Sequence, residues 1–220
     1  NYNYCECEKC AHIDEEEGAH SGSIIRFVNE IAKLFPDKVI STLAYQYSRT
    51  APKVTKPLPN VNIMLCTIEE NRSKSLIGTG FEKDLAEWSK ISQNILIWDY
   101  VINFSHMVMP FPNWPTLQEN IQLFKKYGVN MLFEQGYNQS SSEMQELRCF
   151  LLSKWMWDPN LDRETLTNTF LSNYYGVAGP IVKEILDREV SELQKSGKAL
   201  TLYEPPMTHI KGYLSPENLR

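Results

Sequence analysis

The chain predicts an α/β fold built on a parallel sheet, and three observations carry that expectation. Residues 94–137 read as an apolar run ending in Asp99, a Pro-rich loop, an amphipathic segment closed by Gly128, and a second apolar run ending in Glu134. That order, strand, loop, helix, strand, joins two parallel neighbours by a crossover. Upstream, the apolar runs 38–48 and 61–68 supply two more strand candidates, the second separated from Asn94 by a helix-like stretch. Four strands are too few for an eight-stranded barrel, which takes about 250 residues. The expected architecture is therefore (β/α)8 TIM-barrel-like, with this chain as the C-terminal half of the barrel plus C-terminal helices, since the chain opens in mid-loop. A complete open sheet of four parallel strands is the plainer alternative.

Each element follows from local pattern. Residues 1–22 show no periodicity and end among Gly and Ser, so they read as loop. From Ser23 to Phe35, apolar residues such as Ile24, Phe27, Val28 and Ile31 share a face, a plausible N-cap stands at Ser21 or Ser23, and Pro36 stops the helix. KVISTLAYQYS at 38–48 and VNIMLCTI at 61–68 are β-branched and apolar enough for buried strands. The link between them contains Pro52, Pro57 and Pro59 and no obvious helix. Residues 81–92 carry Phe81, Leu85 and Trp88 on one stripe. After Tyr137 a polar loop leads to a helix near 142–157, a WDPNLD bend, a helix from Asp162 to Gly176 and a last helix at about 178–196. That last helix has Ile181, Ile185, Val190 and Leu193 at helical steps. The whole, 1–220, reads as a single α/β domain, with a barrel-like part at about 23–157 and a helical part at about 162–220.

Composition narrows the function. The chain is 42% hydrophobic and 22% charged with a net charge of -5, ordinary for a globular domain and unlike a nucleic-acid-binding surface. No apolar run approaches the roughly 20 residues needed to span a bilayer. Five cysteines, an odd number, do not make a disulfide framework in a chain this long. Cys66 and Cys149 sit in apolar surroundings and read as buried small residues. No glycine-rich dinucleotide loop, phosphate loop, zinc-protease or serine-hydrolase motif is present.

Two carboxylates are the main chemical signal. Asp99 and Glu134 end equivalent strands, and in parallel units the loops leaving the C-terminal strand ends carry the chemistry. A carboxylate pair across a cleft is what glycoside hydrolysis requires. Tyr45, Gln46, Tyr100 and Tyr137 lie at the same strand mouths, where flat rings can stack on a pyranose and an amide can bond its hydroxyls. Each of these also fits an ordinary packing role at a domain rim. His106, in the loop after Asp99, fits a satisfied structural histidine better than a pocket residue.

The Cys5-x-Cys7-x2-Cys10 stretch, with His12 or His20, offers ligands for tetrahedral zinc, but only Cys7 and Cys10 show the usual Cys-x2-Cys spacing. The leading expectation is a loop with no resident metal and no cofactor, and zinc on Cys5, Cys7, Cys10 and His12 is the alternative.

The ordered set CECEKC, TLAYQYS, ILIWDY, PFPNWPTLQENIQLFKKYGV, FEQG and SKWMWDPNLDRETLTNTFLSNYYGVAG resembles a family of domains of unknown function related to alpha-glucuronidases. The likeness runs from Asn1 to about Ile185. It implies the second half of a (β/α)8 barrel, export to the periplasm or outside the cell, and inverting hydrolysis of polysaccharide-derived sugars. By position, the water-activating Asp and Glu of alpha-glucuronidases fall on Asp99 and Glu134, and their WDP segment on Trp157, Asp158 and Pro159. Two departures stand out: the general acid of those enzymes belongs to a strand upstream of Asn1, and they have no Cys-rich loop. The alternative function is a non-catalytic carbohydrate-binding or scaffold domain of a larger secreted protein. The partners expected are a carbohydrate and, over the sheet edges, either the remainder of the parent chain or a second copy.

Overall fold

The computed structural model describes residues 3–136 and 141–218. The helices and strands follow in the order α1 (Glu8–Glu17), α2 (Ser21–Leu34), β1 (Ile40–Ala44), β2 (Val61–Cys66), α3 (Gly80–Ile91), β3 (Ile95–Tyr100), α4 (Trp114–Lys126), β4 (Met131–Gln135), α5 (Gln145–Trp157), α6 (Arg163–Tyr175) and α7 (Gly179–Ser196), alternating from β2 to α5. The fold is mixed α/β with a four-stranded parallel sheet in the order β1-β2-β3-β4. β1 runs parallel to β2, and β2 to β3. Asn130 N donates to Ile95 O at 3.3 Å, and Val101 N to Gln135 O at 3.1 Å, so β3 and β4 advance together along the chain. The chain forms two compact units: one of Asn1–Glu69, Ile77–Asp99 and Phe124–Phe133, the other of Glu70–Leu76, Tyr100–Leu123 and Glu134–Arg220.

In the first unit the core lies between the sheet and its helices. Ala44 pairs with Leu65 and Leu65 with Ile97, which sets one buried row across three strands. From α3, Phe81, Leu85 and Trp88 bury as one stripe, as their spacing predicted. The Trp88 indole N–H donates to Arg49 O at 2.6 Å, so its one polar atom is satisfied inside. β1 is shorter than its apolar run: the chain leaves the sheet at Ala44 and turns through a 3-10 helix at 46–48. No helix covers the link from there to β2, as expected.

The loop expected over residues 1–22 is instead mostly helix, α1 and the start of α2. α1 is polar along nearly its whole surface, so no apolar stripe announces it. Its support is tertiary. Gly18 ends it in the left-handed region at φ 66°, where a Cβ would be strained. The buried Glu17 then accepts from Val54 N at 3.1 Å, Thr55 N at 2.9 Å, the Thr55 hydroxyl and Arg26 Nε at 2.8 Å.

The second unit is built mainly on α5, α6 and α7. Leu147, Leu151 and Trp155 from α5 meet a core shared with Leu171, Leu186 and Leu193. Asp162 caps α6, its Oδ1 accepting from Thr165 N at 2.8 Å. Of the stripe expected on α7, Ile181 and Ile185 are exposed, and the buried face runs through Leu186 and Leu193. The WDP bend is tied to α4, since Gln118 and Gln122 both donate to Pro159 O. The tail after α7 is ordered by backbone pairing: Arg72 N donates to Leu200 O at 2.8 Å and Phe104 N to Leu202 O at 2.7 Å. Further on, His209 Nε2 meets Glu204 Oε1 at 2.8 Å, fully buried.

Candidate functional site

Thr67 and Asp99 each stand two residues beyond Leu65 and Ile97 of the buried row, and Gln46 follows Ala44 by two residues after β1 has left the sheet. Side chains alternate along a strand, so Thr67 and Asp99 continue the face of that row. Asp99 is only 2% exposed. Its Oδ1 accepts from the Thr67 hydroxyl at 2.5 Å, and Thr67 N in turn donates to Trp98 O at 3.2 Å. A carboxylate this deep has to be held by donors, and Thr67 is one of them.

Gln46 departs from ordinary backbone geometry, with φ 51°. For a residue with a Cβ that conformation costs about 1–3 kcal/mol and is kept only where the surroundings impose it. Here the turn imposes it. Tyr45 N donates to Ser48 Oγ at 3.1 Å, that hydroxyl donates to Tyr45 O at 3.0 Å, and Arg49 N donates to Gln46 O at 3.0 Å. The result is a Gln46 amide oxygen that is buried and accepts no hydrogen bond from the described residues.

The remaining residues singled out from the sequence are placed as follows. Tyr45 is half-buried beside Gln46. Trp98 and Phe133 meet edge to face with centroids 5.1 Å apart. In the second unit, Tyr100 is buried, with its ring edge-on to Phe104 at 6.1 Å and the Arg72 guanidinium 5.9 Å above it. Glu134 is half-buried, the fourth residue of β4. Tyr137 lies outside the described residues. His106 is exposed. Sequence reasoning passed over Thr67. Its signal was a hydroxyl directly after the apolar run VNIMLC, at the level where Asp99 follows ILIW.

Elsewhere in the first unit, the three N-terminal thiols converge. The sulfurs of Cys5, Cys7 and Cys10 all lie within 4.8 Å of one another. Cys7 is the N-cap of α1 and Cys10 sits in its first turn, so the helix start brings them to one place. Hydrogen bonding from the Cys10 backbone N–H, then from the Cys5 and Cys10 thiols, lowers the Cys7 thiol. The Cys10 thiol, sharing hydrogen bonds with Cys5 and Cys7, is pushed up to about 11. His12 is exposed and outside this cluster. His20 is engaged elsewhere: its Nδ1 meets Asp14 Oδ2 at 2.6 Å and its ring stacks on Tyr4 with centroids 3.6 Å apart. Cys66 is buried as expected, whereas Cys149 is exposed, on the outward side of α5.

Compared with known families, residues 1–187 match the one described as Domain of unknown function (DUF4838). No curated protein and no solved structure matches the chain. Among the described residues, no helix is long and apolar enough to cross a membrane.

Proposed function

The chain belongs to the DUF4838 family, and we propose that it works as an alpha-glucuronidase-like glycoside hydrolase on polysaccharide-derived sugars outside the cytoplasm. In this reading the four-stranded sheet is half of a (β/α)8 barrel. Asp99 and Glu134 orient and activate the attacking water, and Tyr45, Gln46, Tyr100 and Tyr137 hold the sugar.

The observation that carries the reading is Gln46. A strained residue at a strand end, with a buried amide oxygen awaiting a donor, suits a ligand hydroxyl. It follows the end of β1 in the same unit as Asp99, whose carboxylate Thr67 holds in place. The half-barrel is supported by apolar surface at the sheet's margins. On the β1 side Val39 and Leu43 are exposed, and on β4 Met131 and Phe133. Uncovered edges of this kind invite further strands.

Inversion needs an acid and a base about 6.5–9.5 Å apart, with water between the base and the sugar. Glu134, the more accessible of the two carboxylates, takes the water's proton. Asp99, fixed by Thr67, aligns the water. The general acid comes from a strand outside this chain, as the resemblance to alpha-glucuronidases implies.

A second reading is a carbohydrate-binding domain without turnover, favoured by the near-complete burial of Asp99. One experiment separates the two. Glucuronic-acid-bearing xylo-oligosaccharides are incubated with the full-length protein and with its Glu134→Gln variant. Hydrolysis predicts release that falls by several orders of magnitude in the variant. Binding of the oligosaccharide without release, in both proteins, selects the second reading, and neither binding nor release from these or a wider glycan set rejects both.

A further inference from the structure

We propose that Cys5, Cys7 and Cys10 form a binding site for a soft divalent cation, zinc first, at the start of α1. This inference is independent of the glycosidase reading.

Geometry is the main argument. In a tetrahedral thiolate site each Zn–S bond is about 2.3 Å, which puts neighbouring sulfurs about 3.8 Å apart. The three sulfurs already lie within 4.8 Å of one another, so a cation draws each pair together by no more than about 1 Å. The short spacing, three cysteines within six residues, makes that contraction a local matter. Cys7 has the extended conformation that precedes a helix, and Cys10 follows in the first turn. The chain therefore folds back on itself just where the thiols meet.

Access supports the same assignment. Cys5 and Cys7 are exposed and Cys10 is half-buried, so the site is open to solvent.

The donor set decides the class of ion. Three sulfurs and, among the described residues, no carboxylate oxygen gathered with them select soft or borderline metals over magnesium or calcium. Glu6 and Glu8 flank Cys7 in sequence and are exposed, but neither brings a carboxylate oxygen into the cluster, and the acids further along α1 are committed elsewhere. Asp14 holds His20, and Glu17 is buried among Thr55, Val54 and Arg26. With His12 and His20 both outside the cluster, the fourth position falls to water, which leaves the ion three protein ligands and one exchangeable site.

The test uses the full chain, reduced and freed of metal, titrated with Cd²⁺ and with Zn²⁺ under anaerobic conditions. The expected result is one equivalent bound per chain, with thiolate-to-cadmium charge-transfer absorption, and with Zn²⁺ competing for the same site. Cys7→Ser and Cys10→Ser weaken binding by more than about a hundredfold, the loss known for removing even an indirect partner of a ligand. Cys149→Ser leaves binding unchanged. Circular dichroism of the serine variants matches the wild type, because the thiols contribute little to the core. Absence of stoichiometric binding by the reduced chain overturns the proposal. So does absorption that survives Cys7→Ser with Cys10→Ser, and so does a stable disulfide within the cluster whose reduction confers no binding.

Discussion

Thr67 donates its hydroxyl to the carboxylate of Asp99 at 2.5 Å, and neither side chain reaches solvent appreciably. Hydrogen bonds to charged groups contribute about 1.5–3 kcal/mol, and a buried acceptor deprived of its donor bears a desolvation cost. Thr67→Val keeps the shape and removes the donor. The variant is expected to lose about 1.5–3 kcal/mol in urea unfolding. If the glycosidase reading holds, sugar processing falls as well, because Asp99 loses its alignment. An unchanged unfolding midpoint would show that Asp99 does not depend on Thr67.

Much of the sheet was legible in the sequence because apolar runs and helical stripes are local signals. The segment around β3, α4 and β4 has that order and nearly those bounds. What escaped were features made by distant partners. α1 is polar outside and is held by Glu17 reaching residues 54 and 55, far along the chain. The left-handed backbone of Gln46 arises from a turn closed by Ser48, with no glycine to announce it. Asp99 was readable as a strand-end acid, but its burial and its Thr67 donor were not. The thiol cluster was readable as a spacing, and only the N-cap geometry of Cys7 brings its sulfurs together.

Glu17 should make the first unit sensitive to acid. Burial alone would raise its carboxyl, but hydrogen bonds from the Thr55 hydroxyl, Thr55 N, Arg26 and Val54 N outweigh it and hold the group near about 2, below its ordinary 4.5. A depressed folded value means that the stabilisation is complete above about pH 4.5 and is lost as pH falls toward about 2. The loss across that window is about 3 kcal/mol. Glu17→Gln keeps the size and removes the charge. Unfolding free energies measured from pH 6 down to 2 are expected to fall steeply in the wild type and more gently in the variant. Parallel curves would assign the acid transition to other groups.

Gly22 is required for the same arrangement. A Cβ built on it would lie 2.2 Å from Glu17 Cγ and 2.4 Å from Glu17 Cβ, closer than side chains tolerate. Elsewhere in a helix, replacing Gly by Ala gains about 1 kcal/mol. In α2 the sign reverses, because the methyl displaces Glu17 from its donors. Gly22→Ala is expected to lower stability by roughly 1–3 kcal/mol, the usual cost of overpacking. Gly78→Ala serves as the contrast, since nothing lies within 4 Å of its Cβ position and its cost comes only from a φ of 77°. A melting temperature for Gly22→Ala at or above wild type would show that α1 and α2 can separate without penalty.

Glu189 should act at the opposite end of the pH range. It lines a cavity of about 400 Å³ with Ile181, Ile185 and Tyr213, and its Oε2 is buried with no hydrogen-bond partner among the described residues. Burial first, and then the charge of Glu143, raise its carboxyl from 4.5 to about 8. A raised folded value means the folded chain holds a proton that the unfolded chain has released. The stability this confers is present below about pH 4.5 and is lost as pH rises through about 8. Glu189→Gln stays neutral throughout and keeps the shape. It should match the wild type near pH 4.5 and become the more stable of the two by pH 9. The difference should build up between about pH 4.5 and 8, where the unfolded chain has released a proton that the folded chain keeps, and level off above that, where the wild type must either bury a charge facing Glu143 or open α7 to hydrate it. Thermal melts at the two pH values read this directly, and a gain that is equal at both would mean that Glu189 is ionised in the folded chain all along.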